Sequence, residues 1–261
     1  MNVPAYSIVV PAYNEGERVG ASLEQMIQFI AERGWDAEVL VVNDGSSDNT
    51  AAVVHRYMKL YPAIRLIENP GNRGKGYSVR NGIRHARGEW LFFTDADLSA
   101  PIYEAAKLAA AIQSGADIAI GSRWVRPELM TERQPPYRQF FGRIFNLLLR
   151  LVLGLKFKDT QCGLKAFTRR AARLVFSRQR IERWGFDPEL LFVAEHLGLR
   201  TVEVPVQWAN DARSKVRPLL DGMQMFGELL RIRWYAISDR YAAPVDEKLE
   251  QTPQEQSTSR E

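Results

Sequence analysis

The sequence predicts an α/β fold, a mostly parallel sheet flanked by helices, with amphipathic helices toward the C-terminus. Three observations predict it. Apolar, β-branched runs alternate with amphipathic stretches through the first 120 residues. Several runs are apolar at nearly every position, as strands must be when helices cover both faces of a parallel sheet. The stretches between them are long enough to be right-handed crossovers joining parallel strands.

In chain order, "YSIVVPAY" (6–13) reads as the first strand, and a helix over about 17–33 stops at Gly34. "AEVLVVND" (37–44) is the second strand, and "SSDNT" opens a helix over 48–60 with the short polar residues that cap helix starts. "AIRLIEN" (63–69) leads to a helix over 74–87. "WLFFTDAD" (90–97) leads to a helix over 102–114 that ends at Gly115, and "DIAIGS" (117–122) is the fifth strand. The pattern then changes. A loop rich in Pro and charge (123–137) precedes "RQFFGRIFNLLLRLVLGLKF" (138–157) and "KDTQCGLKAFTRRAARLVF" (158–176). "WGFDPELLFVAEHLG" (184–198), a strand over 200–208 and an amphipathic stretch from Pro218 to about Ile237 follow. Residues 1–241 are expected to form one domain, with one half at about 5–122 and the other at about 123–241. The polar residues 242–261 are expected to be a disordered tail.

Composition narrows the function classes. At 261 residues, 46% hydrophobic and 25% charged, the chain has an ordinary globular make-up. Its one cysteine, Cys162, excludes an internal disulfide and fits a reducing compartment. His55, His85 and His196 are scattered, which argues against a structural zinc site. "MNVPAYSIVVPAYNE" lacks the basic and apolar regions of a secretory signal, so a cytoplasmic location is expected. Charge is unevenly spread. Residues 123–183 hold fifteen Lys and Arg against four Asp and Glu, so this block carries +11 and the remainder −7 of the overall +4. Such a block suits an anionic partner such as phosphate or anionic lipid, or is a solvated helical face.

The strand ends carry the chemistry, because ligands of wound α/β sheets bind beyond the C-terminal ends of strands. In extended chain, residues i and i+2 point the same way, so Asp95 and Asp97 of "FFTDADLSAP" can face one site. Two hard oxygen ligands suit Mg²⁺ or Mn²⁺ completed by phosphate oxygens and water. Alone, such a triplet is a weak signal, since acids often cap turns after strands. Here the acid-bearing ends "VPAYNE" (10–15) and "VNDGSSD" (42–48) converge on the same edge. Asp44 is placed to accept a base N–H and Tyr13 to stack on the base, with an Asx turn and local packing as the other reading. "GNRGKG" (71–76) runs G-x-x-G-x-G, not the dinucleotide order G-x-G-x-x-G. Gly74 and Gly76 are read as letting the backbone approach a donor, and Lys75 as a phosphate contact.

With "VVPAYNE", "VVNDGSSDNT", "NRGKGYSVRNGI", "FFTDADLSAP" and "IGSR" in this order, the sequence resembles glycosyltransferase family 2 over about residues 5–220. "GNRGKGYSVRNGI" (71–83), "DTQCGLKAF" (159–167) and "RWGFDPELL" (183–191) look most like the dolichyl- or polyprenyl-phosphate glucosyltransferases within it. The resemblance implies the GT-A nucleotide-sugar fold, which is Rossmann-like, a UDP-sugar donor, a divalent cation, inversion at the anomeric carbon and a lipid-phosphate acceptor. It implies that Pro11, Tyr13, Glu15 and Asp44 hold the nucleoside and that Asp95 and Asp97 hold the metal, with Ala96 and Lys75 also at the donor. Where many relatives carry Gln, two positions after the second acid, this chain has Ser99.

A phosphate monoester acceptor is already ionised near neutral pH, so cationic positioning matters more than a general base. Candidate clamps are Arg123 in "GSR", Arg138, and Arg213 with Lys215 in "DARSK". Arg138, Gly142 and Asn146 fit a family pattern R-x-x-x-[small]-x-x-x-N. Asp159 and Asp187 are the later acids expected to take catalytic, acceptor-orienting roles, with capping as the alternative. Residues 138–157 cannot span a bilayer, because Arg143 and Arg150 interrupt the apolar run. They and residues 219–235 are read as interfacial helices of a peripheral enzyme on the cytosolic membrane face, or as core or homodimer contacts. No nucleic-acid partner is expected. The competing readings are a GDP-mannose donor, a polysaccharide acceptor and an inactive nucleotide- or lipid-binding scaffold. The first two keep the family and change the substrate. Against the polysaccharide reading, no "Q-x-x-R-W" segment is present, only "IERW" (181–184).

Overall fold

The computed structural model describes residues 3–132, 136–209, 218–246 and 249. The first half forms as its hydrophobic pattern predicts: β1 (Tyr6–Ala12), α1 (Val19–Arg33), β2 (Ala37–Asn43), α2 (Thr50–Leu60), β3 (Ile64–Glu68), α3 (Lys75–His85), β4 (Trp90–Phe93), α4 (Ala105–Gln113) and β5 (Ile118–Ser122). Then come β6 (Met130–Glu132), α5 (Pro136–Leu153), β7 (Lys165–Thr168), α6 (Arg169–Phe176), α7 (Phe186–His196), β8 (Thr201–Pro205), β9 (Trp208–Ala209) and α8 (Pro218–Ile237).

Seven strands form one sheet in the order β3-β2-β1-β4-β7-β5-β8, and β6 and β9 form a separate pair. Every neighbouring pair in the large sheet is parallel except the two made by β7, which runs antiparallel between β4 and β5. Alternate strand residues serve opposite faces. Val9, Leu40, Val42 and Phe93 pack with α3, α5, α6, α7 and α8 on one side. Ile8, Val10, Val39, Val41 and Phe92 pack with α1, α2 and α4 on the other. Both faces are covered, which is why these strands read as largely apolar runs.

The register brings the acid-bearing ends together. Ala12 lies beside Asn43 and Val9 beside Phe93. The ladders continue by one bond each, Asp44 N–H to Ala12 O at 2.8 Å and Thr94 N–H to Val9 O at 3.0 Å.

Five points differ from the sequence expectations. The fourth strand ends at Phe93 rather than at residue 97, because Leu98 N–H turns back to Asp95 O at 3.1 Å. The 102–114 helix opens with a 3-10 turn over Ile102–Glu104. The 200–208 strand splits, with Trp208 joining β6 instead of β8. β7 was hidden within 158–176. The tail expected from residue 242 is docked at its start, where Val245 and Asp246 N–H donate to Ser177 O at 2.7 and 3.1 Å. Leu249 is buried in the core, and residues 250–261 lie outside the described residues.

Candidate active site

The loops after β1 and β2 are bonded to one another. Asn14 N–H donates to Ser46 Oγ at 2.9 Å, Ser47 N–H to Asn14 Oδ1 at 2.8 Å, and Gly16 N–H to Asp48 Oδ2 at 2.9 Å. Tyr13, 41% exposed, stands at this rim beside the partly buried Pro11. Asp44 is buried, and its carboxylate is occupied within the chain. Oδ1 accepts from Asn69 Nδ2 at 2.7 Å and Arg73 N–H at 2.9 Å, and Oδ2 from Gly74 N–H at 2.8 Å. These contacts are not those of a local Asx turn: they reach across the sequence and tie β2 to the entry of α3. Gly74 at φ 106° makes that entry possible, since a β-carbon there would lie 2.6 Å from Glu182 O.

Asp95 and Asp97 sit just past β4, with side chains 33% and 19% exposed. Lys75, the first residue of α3, reaches across so that its Nζ lies 2.6 Å from Asp95 Oδ1. Arg18 Nη1 lies 4.0 Å from Asp97 Oδ2. Arg18 is itself held by Glu15, whose Oε1 accepts from Nη2 at 2.8 Å. Burial works against the Lys75 ammonium, but Asp95 and Asp187 outweigh it and hold the group above the usual lysine range. Burial, then the charge of Asp95, raises the Asp97 carboxyl above its ordinary value. The turn is tight: Ser99 N–H donates to Asp97 Oδ1 at 3.0 Å, and Ser22 Oγ donates to the carbonyl of buried Ala96 at 2.6 Å. Leu98 adopts φ 50°, a left-handed conformation that costs a residue with a β-carbon about 1–2 kcal/mol. Strain of this kind persists where surrounding bonds over-determine it, often at sites of function.

The residues present fit a small divalent ion. Both donors are hard carboxylate oxygens, both are reachable from solvent, and the chain already draws cationic groups toward each. On its Gly163 side Asp95 has no spare room: a β-carbon on Gly163 would lie 2.0 Å from Asp95 Oδ2 and 2.5 Å from Cγ. Gly163 reaches this point because β7 enters the sheet antiparallel at this edge, with Lys165 between Phe93 and Ile120. Fully buried Lys165 donates to Cys162 O at 2.7 Å and to Asp187 Oδ1 at 2.5 Å. That contact fixes the backbone that packs on Asp95.

On the other side, Arg123 follows β5. Its Nε and Nη2 donate to Asp159 Oδ2 and Oδ1 at 2.7 and 2.8 Å, and its N–H to Oδ2 at 2.9 Å. Its guanidinium lies 5.4 Å from the Trp208 ring centre. Burial opposes both charges of the pair, yet Asp159 raises the Arg123 guanidinium and Arg123 lowers the Asp159 carboxyl. Asp159 and Asp187, expected among the catalytic acids, are buried and paired with Arg123 and Lys165. Asn146 is buried on α5 and donates to Lys158 O at 3.0 Å. Arg138 lies on α5, but its side chain is outside the described residues, as are Arg213 and Lys215. Sequence reasoning missed Arg18, Gly163 and Lys165. Lys165 had a signal: a lysine inside the run "CGLKAF" must find an acid if that run is buried.

The sequence model of glycosyl transferase family 2 matches residues 7–176. A dolichyl-phosphate beta-glucosyltransferase of Trichomonas vaginalis is 37% identical over 258 residues, covering 92% of this chain and 76% of the relative. Enzymes of the same name from Drosophila melanogaster and Homo sapiens are 38% and 34% identical, each covering 87% of this chain and 73% or 74% of the relative. Among solved structures, glucosyl-3-phosphoglycerate synthase from Mycobacterium tuberculosis, in complex with Mn²⁺, UDP-glucose and phosphoglyceric acid, superposes with a TM-score of 0.61 at 20% identity. It covers 88% of this chain and 80% of its own. A mannosyltransferase from Pyrobaculum calidifontis, in complex with GDP-Man and Mn²⁺, gives 0.55 at 18% identity, over 95% of this chain and 78% of its own. These last two share the fold.

Proposed function

The chain belongs to glycosyl transferase family 2, and from that premise we propose that it transfers glucose from UDP-glucose to a polyprenyl (dolichyl-type) phosphate, with inversion, at the cytosolic face of a membrane. The observation that carries this reading is the convergence at one sheet edge of an acid pair and an arginine locked in place by a buried acid. The names of the relatives supply the sugar and the lipid.

Bound by Asp95 and Asp97 together with the donor's diphosphate, Mg²⁺ or Mn²⁺ would supply neutralisation of the charge that builds on the leaving group. The remaining work falls to side chains. Lys75, 2.6 Å from Asp95 Oδ1, would turn to the same diphosphate when the acids are otherwise engaged. Asp44 holds the α3 entry against the nucleoside side of the site, and Tyr13 offers a ring at its rim. Arg123 cannot swing freely, because Asp159 grips it at three points. It presents a fixed cation for the acceptor phosphate, and Arg138, Arg213 and Lys215 are proposed to add to that clamp.

A phosphate monoester acceptor carries its own negative charge at neutral pH, its second pKa lying near 6. No general base is then needed. That is in keeping with Asp159 and Asp187, the two acids the sequence suggested for such a role, being both buried and paired.

Membrane contact is supported by α5 and α8, which pack together and split their apolar residues between two sides. Leu149, Leu153, Leu229 and Ile232 face the core. Leu147, Leu148 and Leu151 on α5, and Met223, Phe226, Leu230, Trp234 and Ile237 on α8, stay exposed. Among the described residues no helix is long and apolar enough to cross a membrane. We read these faces as lying in the interfacial layer.

The test offers UDP- and GDP-sugars with Mg²⁺ or Mn²⁺ and polyprenyl phosphate, and measures lipid-linked sugar. Label from UDP-glucose is expected. Label from GDP-mannose alone refutes the donor assignment, and equal transfer to a plain polyprenol refutes the anionic acceptor.

A further inference from the structure

Between the loop entering α3, the segment leading into α7 and the middle of α8 lies a cavity of about 580 Å³. None of Asp95, Asp97, Lys75 and Arg123 lines it. Its walls carry Arg73, Arg180, Arg183 and Arg231 against Glu182 and Glu228. Both acids are already engaged within the chain, in part with other lining residues. Glu182 accepts from Arg73 at 2.9 Å and from Arg80 at 3.2 Å. Glu228 Oε2 accepts Gly185 N–H at 2.7 Å, and Oε1 accepts from Gln224 at 3.0 Å. Of the cations, Arg180 donates to the Arg240 carbonyl and lies 5.7 Å from the Tyr235 ring centre. Arg183 and Arg231 remain. They are exposed, they come from different elements lining the cavity, and among the described residues neither has an acidic partner.

The surroundings identify the class of ligand. Arg231 follows exposed Leu230 and lies one turn from exposed Trp234, whose ring has Arg240 over it at 4.4 Å. A site with surplus guanidinium charge thus opens beside an apolar helix face, and the volume suits a small headgroup. Guanidinium pairs are well shaped for phosphate oxygens.

We propose that this cleft holds the phosphate of an anionic membrane phospholipid, clamped between Arg183 and Arg231, while the apolar face of α8 rests among the acyl chains. The ligand is a lipid phosphate ester other than the acceptor, and it fixes the enzyme on acidic membrane. This rests on the reading of α5 and α8 as membrane-facing, so the experiment separates the two.

The full chain is sedimented with vesicles of phosphatidylcholine alone or with one fifth phosphatidate. The wild-type protein is compared with Arg183→Gln/Arg231→Gln and with a charge-matched control, Arg33→Gln/Arg56→Gln, on exposed helix positions lining no part of the cleft. Each guanidinium near an acidic membrane contributes about fivefold in affinity, so the cleft pair is expected to lose about 30-fold on phosphatidate vesicles. Binding to neutral vesicles, and glucosyl transfer in detergent, should be unchanged. Equal loss in the control, or undiminished binding by the cleft variant, overturns the proposal. Wild-type protein that binds both vesicles equally overturns the cleft and leaves the membrane face standing. Wild-type protein that binds neither overturns both. In a parallel titration, glycerol 3-phosphate that binds wild type tightly and the cleft variant poorly, without competing with phosphatidate vesicles, assigns the site to a free phosphate and overturns the lipid.

Discussion

Replacing Gly163 with alanine should inactivate the enzyme without unfolding it. The new methyl carbon would stand 2.0 Å from Asp95 Oδ2, whereas ordinary contact begins at 3.4 Å, so the carboxylate must retreat by about 1.4 Å. Gly163 has an ordinary negative φ, so the backbone accepts alanine. Asp95 is one-third exposed and can move toward solvent, which spares the core. What is lost is placement. A misplacement of about 1 Å at a reacting site can cost on the order of 100-fold in rate, or about 2.7 kcal/mol. The assay is kcat/KM for transfer from UDP-glucose to polyprenyl phosphate, alongside a thermal melt. The decisive form is a double-mutant cycle with Asp95→Ala. If the methyl acts through the carboxylate, Gly163→Ala costs about 100-fold in the native background and almost nothing once Asp95 is gone. Full activity of Gly163→Ala, or the same loss in both backgrounds, refutes the link between β7 and the acid pair.

Other outcomes follow from the same contacts. Lys75→Met removes the ammonium that competes for Asp95; a charged hydrogen bond is worth about 1.5–3 kcal/mol net. Mn²⁺ alone should therefore bind at least roughly tenfold tighter by titration calorimetry, while UDP binds more weakly. Asp97→Ala or chelation should lower turnover at least roughly tenfold, because charge on the leaving diphosphate then goes uncompensated. Asp159→Asn leaves Arg123 without its charge partner and should cost about 3–5 kcal/mol in urea unfolding, along with a raised acceptor KM. Glu189 is fully buried, and burial raises its carboxyl to about 7 although Ile181 and Arg180 N–H and Tyr241 Oη donate to it. A carboxyl raised in the folded state binds more protons folded than unfolded. Stability is therefore greatest below the unfolded value of 4.5 and falls, by up to about 1.4 kcal/mol per pH unit, as pH rises toward 7. Glu189→Gln should flatten that slope between pH 5 and 8 in urea titrations, and a slope unchanged by the substitution would contradict the assignment.

How much of this was legible in the sequence depended on whether the signal was local. β1, β2 and β5 could be read because both their faces are covered and most of their positions are apolar, with Ser7, Glu38, Asn43 and Ser122 the buried polar exceptions. Asp95 and Asp97 were legible as acids beyond a strand end, but the extended spacing used to aim them does not hold, since β4 stops at Phe93 and a turn carries both. β7 could not: it is a four-residue strand, "KAFT", whose lysine breaks the apolar pattern and is tolerated only because Asp187, distant in sequence, meets it. Arg18 sits at the foot of α1, where an arginine reads as a solvated face, and only the packing of β4 beside β1 shows it turned toward Asp97. Asp44 was legible as a site-edge acid but not in its partners, since the N–H groups of Arg73 and Gly74 arrive from another loop.

The antiparallel strand wedged between β4 and β5 bears on how the enzyme matures during synthesis. Until residue 168 has left the ribosome, the nascent sheet has a gap with two naked edges, each able to recruit a stray strand. A truncated product ending after β5 would carry every donor-side acid and still lack the glycine and lysine that brace them. Catalytic competence should thus switch on late, in one step, and a split protein should regain it only when the second fragment brings β7.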